Sequence, residues 1–114
     1  MSETLSTSSP LVDETLREEL RGACADAQLW RVLVRRFEVE ARSLLVDAGA
    51  THAACDFERS ALALHRLRGA AASIAAVRLE HAIAELELDP TQAPRWRRAH
   101  EVLDATVAAL AERD

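Results

Sequence analysis

The sequence is poor in the aromatic residues that favour β-strands and in cysteine, which forms the disulfides and metal sites of small domains. Its 114 residues include no tyrosine, lysine or asparagine, and aromatic residues make up only 4 % of the chain. Because strands favour aromatic and β-branched residues, this composition argues against a sandwich, a barrel or a doubly wound sheet. The two cysteines, Cys24 and Cys55, lack the spacing of a metal site. We expect them to be reduced residues of the core or its boundary.

A long apolar run and a basic cluster are also missing. No stretch approaches the ~18 uninterrupted apolar residues of a membrane span. The first ten residues, MSETLSTSSP, have neither the basic nor the apolar region of a secretory signal. The formal net charge is −5, and the arginines are spread from Arg17 to Arg113, whereas nucleic-acid modules present a clustered basic surface. We therefore expect a cytoplasmic protein that binds neither nucleic acid nor membrane.

What is abundant favours helices. Alanine occurs 23 times and leucine 16 times, and both are strong helix formers. The apolar fraction of 49 % is too high for a disordered chain, and a chain of this length holds one core. We expect residues 1–8 to form a flexible polar N-terminus and residues 9–114 to form a single helical bundle domain.

Helix-end signals and apolar periodicity predict five helices. Ser9 as N-cap and Pro10 at the first helical position begin a short helix, which ends at Gly22. Asp26 caps a second helix, which ends at Gly49. The inward stripe predicted for this second helix repeats every three or four residues and contains Trp30, Leu33, Phe37, Ala41, Leu44 and Ala48.

Three further helices follow. The third begins between Thr51 and Asp56 and runs to about Ala75; the fourth spans residues 77–88 and the fifth residues 93–112. Connections this short join antiparallel neighbours. The predicted fold is all-α: an antiparallel four-helix bundle with a short additional N-terminal helix. We expect a monomer, because the apolar residues are used on inward stripes. The stripe predicted for the third helix contains Phe57, Ala61, Leu64, Leu67, Ala71 and Ile74.

One glycine stands inside a predicted helix. Gly69 lies in the middle of the third helix, where glycine costs about 1 kcal/mol relative to alanine. His65 lies one turn earlier on the same face. A neutral imidazole is a usable nucleophile, and Arg68, three residues further on, offers positive charge to offset a transferred phosphoryl group. An ordinary surface histidine, beside a glycine that relieves a close helix contact, explains the same spacing. The spacing alone leaves both interpretations open.

Residues 65–76 closely resemble the signature of histidine phosphotransfer (HPt) domains, and they read His-Arg-Leu-Arg-Gly-Ala-Ala-Ala-Ser-Ile-Ala-Ala. That signature is H-x-L-K/R-G-[SA]-[SA], followed by a Gly-Ala pair and a leucine. The resemblance covers most of the chain: Asp56-Phe57 is similar to the start of the family's third helix, residues 26–37 to the opening of its second, and residues 79–87 to its fourth. Ala75 stands where the family often has glycine, so the end of the third helix is where we expect a departure.

The resemblance implies a phosphoryl carrier. HPt domains move a phosphoryl group between aspartates of response-regulator receiver domains in phosphorelays that begin at a hybrid sensor histidine kinase. By this likeness His65 is the phospho-acceptor through Nε2, Arg68 holds the phosphoryl charge, and Gly69 leaves room for the receiver. The receiver-binding surface implied in the same way contains Leu62, Arg66, Ala72 and Ser73. No cofactor is implied in this chain, because the receiver supplies Mg²⁺, and without a Gly-rich phosphate loop we expect neither an ATP site nor autokinase activity.

The other histidines are predicted to carry no chemistry. His52 is placed in a connection, and His81 and His100 on solvent-facing helix positions. No pair has metal-ligand spacing with a carboxylate, so no metal site is predicted. The acidic run of Glu85, Glu87 and Asp89 is predicted to be solvated surface. A second hypothesis stays open: a catalytically silent helical adaptor of the same fold, which binds a receiver or a kinase without turning over phosphate.

Overall fold

The structure is a computed structural model that describes residues 10–112. Within that range the chain forms five helices and no strand. They are α1 (Glu14–Ala23), α2 (Ala27–Ala53), α3 (Phe57–Ser73), α4 (Val77–Leu88) and α5 (Ala93–Glu112). Each of the four long helices packs against the next, and α5 returns to α2 to close the bundle. The predicted all-α bundle with a short N-terminal helix is confirmed.

Aspartates begin the first three helices. The carboxylates of Asp13, Asp26 and Asp56 accept hydrogen bonds from the amides three residues further on, at 3.1, 2.8 and 3.3 Å. Such caps satisfy amides that have no partner inside the helix. The predicted start of the first helix at Pro10 is wrong, because Asp13 is the cap. Ser9 and the predicted flexible segment 1–8 lie outside the described residues.

Helix α2 continues past its predicted end. Gly49 keeps a helical backbone and lies against the ring of Trp96, where an added Cβ would sit 3.8 Å from the ring. Glycine ends a helix when it adopts a left-handed conformation, and here Cys55 does so instead, with φ 61°. The helix therefore extends to Ala53, and His52 lies in its last turn rather than in a connection.

The core is aliphatic and continuous. Four alanines inside helices are completely buried, so the helix axes can approach closely: Ala41, Ala48, Ala71 and Ala99. The largest fully buried side chains with no polar group are Leu45, Leu67, Leu79, Ile83, Leu86, Leu103 and Leu110. None of the helices in residues 10–112 is long and apolar enough to cross a membrane.

Two predicted stripes are each wrong at two of their six positions. In α2, Leu33 is 40 % exposed and Leu44 is only half-buried, while Val34 and Leu45 are buried. In α3, Phe57 and Ala61 are exposed, and the buried positions in this part of the helix are Ser60, Ala63 and Leu64. Each of these helices packs against two neighbours at once, so its buried face points between them. The fourth and fifth helices match their predicted bounds.

The segment that leads into α1 is hydrogen-bonded to the connection between α3 and α4. The amide of Asp13 donates to the carbonyl of Ala75, and the amide of Arg78 donates to the carbonyl of Leu11. The side chain of Arg17, in α1, is buried, and its guanidinium lies 5.8 Å from the ring centroid of Trp30. These contacts fix the connection that follows the histidine-bearing helix.

Candidate functional site

Helix α3 presents His65 to solvent. Leu64, Leu67 and Ala71 of this helix point into the core. Residues one turn apart share a face, so His65 and Gly69 lie together on the opposite side. Both are exposed. The residues that the sequence assigned to a receiver-binding surface are also exposed on this helix: Leu62, Arg66, Ala72 and Ser73.

Open space surrounds Gly69. A Cβ built on this residue would meet no neighbouring atom within 4 Å, and its backbone is helical rather than left-handed. Neither a close helix contact nor backbone geometry therefore requires a glycine here. The interpretation that Gly69 relieves a helix–helix contact is wrong. What the glycine provides is a helix surface without side-chain bulk, one turn from the imidazole.

Arg68 bridges the imidazole to a carboxylate. Its Nη2 lies 3.4 Å from Nδ1 of His65, and its Nη1 lies 3.2 Å from Oε1 of Glu87 on α4. Since a guanidinium has donors and no acceptor, this contact is a hydrogen bond only when Nδ1 carries no hydrogen. Arg68 thus contacts both Glu87 and the ring, and it places a positive charge next to the exposed histidine.

Glu87 is a site residue that the sequence interpretation missed. Its side chain is only 23 % exposed, and Oε1 is buried without a well-aligned hydrogen bond although it is close to Arg68. The prediction that Glu87 is solvated surface is wrong, whereas Glu85 is exposed as predicted. The available signal was helical spacing: Glu87 follows the buried Ile83 by one turn, which puts it on the flank of the inward stripe.

A groove lies beside the histidine-bearing helix, between α2 and α3. Its volume is about 540 Å³. Leu20 of α1 closes one end, and Ala70 and Ser73 of α3 form one wall. Ser73 donates its hydroxyl hydrogen to the carbonyl of Ala70 at 2.8 Å. The opposite wall, on α2, contains Trp30, Leu33, Arg35, Arg36, Phe37, Val39 and Glu40.

The other three histidines lie in different environments from that of His65. His52 is half-buried, with its ring 5.2 Å from that of Phe57 and 5.6 Å from that of Trp96. His81 and His100 are exposed on α4 and α5. Among residues 10–112 no three histidine, cysteine, aspartate or glutamate side chains are grouped so that they could hold a metal ion.

Comparison with protein families places the site within a known domain. The Hpt domain model matches residues 32–113. The matched segment covers most of the chain and contains His65, Arg68, Gly69 and Glu87. Comparison with curated proteins gave no match, and comparison with solved structures gave none either.

Proposed function

The chain belongs to the Hpt domain family, whose members carry phosphoryl groups on histidine in phosphorelays, and on this premise we propose that His65 is the phosphorylated residue. Hpt domains are phosphoryl carriers rather than kinases, and they interact with receiver domains and kinases. The observation that carries the assignment is the surrounding of His65: an exposed ring, an arginine at 3.4 Å and open space over Gly69.

The chemistry proposed for His65 is a reversible exchange with a receiver aspartate. The lone pair of Nε2 attacks the phosphorus of the aspartyl phosphate, the N–P bond forms, and the P–O bond to the aspartate breaks. The aspartate leaves as a carboxylate. The guanidinium of Arg68 offsets the charge of the arriving phosphoryl group. Transfer to a second receiver is the same step in reverse. We assign the Mg²⁺ that this step uses to the receiver and no cofactor to this chain.

We propose that the receiver docks on α3 and on the adjoining groove. Leu62 is 50 % exposed beside His65, and Ser73 continues the exposed face of α3 into the groove wall. Across the groove, Leu33 of α2 offers an apolar contact and Arg36 a positive charge. Apolar centres with a polar rim are typical of protein interfaces, and this surface adjoins the exposed face of α3 that carries His65.

Transfer from phosphorylated receivers tests the proposal. A panel of receivers from the source organism, labelled with radioactive phosphate, should include one that labels this chain, and the product should be labile in acid and persistent in base. His65→Gln should abolish the label with little change in stability, since the side chain is exposed. His52→Gln, His81→Gln and His100→Gln are the matched controls and should keep it. ATP alone should label nothing.

The same experiment separates the carrier from the silent adaptor. Label that survives His65→Gln would contradict the assignment of the nucleophile. A receiver that binds the chain without transferring phosphate, in a panel where no other member labels it, would support the adaptor instead.

A further inference from the structure

Helix α1 shapes the docking groove although it lies outside the matched family segment. The Hpt domain model begins at residue 32, whereas α1 covers Glu14–Ala23, and Trp30 lies near the start of α2. Leu20 of α1 closes one end of the groove, and Trp30 lines it. The family match therefore does not account for this end of the groove, and the residues that hold α1 in place precede residue 32 or contact it from elsewhere.

Arg17 packs α1 against Trp30. Of the residues Glu14–Ala23, only Arg17 is buried, with 2 % of its surface exposed. Its guanidinium carbon lies 5.8 Å from the centroid of the ring of Trp30, a residue that is itself 1 % exposed. A cation within about 6 Å of an aromatic face is attracted to the ring, and the attraction is stronger where water is excluded. The ion pair of Arg17 with Glu18, at 3.0 Å, joins neighbours within α1, so it does not hold the helix against the bundle.

The contact with Trp30 sets the position of Leu20. Leu20 follows Arg17 by three residues, so the two side chains lie on one face of α1. The backbone hydrogen bond from Asp13 to Ala75 fixes only the start of this helix. Leu20 itself packs against the core while only partly buried, so Arg17 supplies the most enclosed contact between α1 and α2. Loss of that contact would let the end of α1 that carries Leu20 move away from the groove.

We propose that Arg17 is a positioning residue for receiver binding, which acts through Trp30 to hold Leu20 at the end of the groove. The receiver then meets a preformed surface, and no binding free energy is lost in ordering α1. This proposal rests on the function proposed above and adds a residue that controls the affinity of the same surface. Because Arg17 is buried in α1 and His65 is exposed on α3, the effect falls on receiver binding and not on the transfer step.

Hydrogen exchange of the full chain tests the anchoring of α1 without a receiver. Arg17→Met keeps an unbranched side chain but removes the cation. It should speed the exchange of the amides of residues 18–23 by about two- to thirtyfold, the range that a cation–aromatic attraction produces, and leave the exchange of α3 unchanged. Arg31→Met is the matched control, because Arg31 is exposed and adjacent to Trp30 in the sequence; it should leave the exchange of α1 unchanged.

Arg17→Lys separates the effect of the charge from that of the side-chain shape. It keeps a cation near the ring, so the exchange of α1 should return most of the way to the wild-type rate. If Arg17→Met unfolds the whole chain, which faster exchange in all five helices would show, Arg17→Lys should still protect α1 and the other helices. Unchanged exchange of α1 in Arg17→Met, or loss of α1 protection in Arg17→Lys as large as in Arg17→Met, would overturn the anchoring role.

Rates of transfer over a range of concentrations of a phosphorylated receiver supply the second readout. Arg17→Met should raise the receiver concentration that gives the half-maximal rate, by about two- to thirtyfold, while the rate at saturation stays unchanged. Leu20→Ala should raise that concentration too, and Arg17→Met should add little to it in the Leu20→Ala background.

Two results would overturn the positioning role: a fall in the saturating rate instead, or an unchanged half-maximal concentration although α1 exchanges faster. If Arg17→Met speeds the exchange of α1 but no receiver labels the wild-type chain, the function proposed for His65 fails while the anchoring of α1 by Arg17 is upheld.

Discussion

The backbone amide of Asp13 donates a hydrogen bond of 2.8 Å to the carbonyl of Ala75, and Ala75 is a buried residue with φ 67°. The N-terminal segment is therefore tied to the connection that ends the histidine-bearing helix. A left-handed backbone disfavours any residue with a Cβ. The chain adopts this conformation with alanine, at a position where the resembled family often has glycine.

Replacing the two left-handed residues with glycine should have different effects. Cys55→Gly should raise the free energy of unfolding by up to about 1 kcal/mol, because relief of a left-handed Cβ exceeds the added freedom of the unfolded chain. Ala75→Gly gains the same relief but loses a buried methyl group worth about 0.8 kcal/mol, so its net effect should be near zero. Urea denaturation measures both, and a larger gain at Ala75 than at Cys55 would contradict the reasoning.

Substitutions of Gly69 should show separate effects on stability and on the access of a receiver to His65. Gly69→Ala should stabilise the chain by about 0.5–1 kcal/mol, since an alanine is favoured in a helix and its Cβ meets no neighbour. Gly69→Gln should slow transfer from a receiver while the fold persists, because its bulk lies one turn from His65. Gly49→Ala is the control: an interior α2 position at which the same stabilisation should leave transfer unchanged. Thermal unfolding measures the change in stability, and the rate of transfer from a phosphorylated receiver measures the steric effect.

The groove on α2 should contribute to receiver binding. Leu33→Arg places a charge in the apolar wall of the groove and should weaken the affinity for a receiver about tenfold or more, as central interface residues do. Val46→Arg is the control. Val46 lies on the same helix, is more exposed than Leu33 and is outside the groove lining, so this variant should change the affinity little. Isothermal titration calorimetry compares them; equal losses for the two variants would place the docking surface elsewhere.

A buried hydroxyl should stabilise the contact between α2 and α3. Ser60 donates to the carbonyl of Ala48 at 2.8 Å, and both residues are buried. Ser60→Ala removes this hydrogen bond, and we expect a loss of about 0.5–1.5 kcal/mol in the free energy of unfolding. Ser43→Ala, at an exposed position of α2, should change stability by less than about 0.5 kcal/mol. Chemical denaturation would show whether the ranking is reversed.

The contribution of the Asp89 carboxyl to stability should vary with pH only in acid. Hydrogen bonds from the side chains of Thr91 and then Gln92 lower the pKa of Asp89 below its ordinary value of 3.8. The unfolded carboxyl therefore takes up a proton at a higher pH than the folded one. The stability that this group contributes is complete above its unfolded pKa and is lost as the pH falls through the folded pKa.

Asp89→Asn should accordingly flatten the decline of stability below about pH 4 and remove a constant amount above it. Thermal unfolding across this pH range provides the measurement. A decline as steep in the variant as in the wild type would assign the acid sensitivity to other carboxylates.

Local signals placed most of the helices and the centre of the site. Aspartate caps at Asp26 and Asp56 mark the beginnings of two helices, because a cap needs only the amides of the next turn. His65, Arg68 and Gly69 fall on neighbouring positions by helical geometry alone. For the same reason, the exposure of the histidine followed from the apolar residues on the other side of its helix.

Tertiary packing decided what depends on residues far apart in the chain. Glu87 reaches Arg68 because α4 lies against α3 at a particular register, and an acidic residue near a helix end does not specify that register. The wrong positions in the two predicted stripes have the same origin, since a helix that lies between two neighbours buries the face that contacts both of them. The sequence by itself determined most of the helices and the proximity of His65 to the positive charge of Arg68. The packing of α3 against α4 determined the carboxylate that holds this charge in place, because the side chains of Arg68 and Glu87, 19 residues apart, meet only after the helices associate.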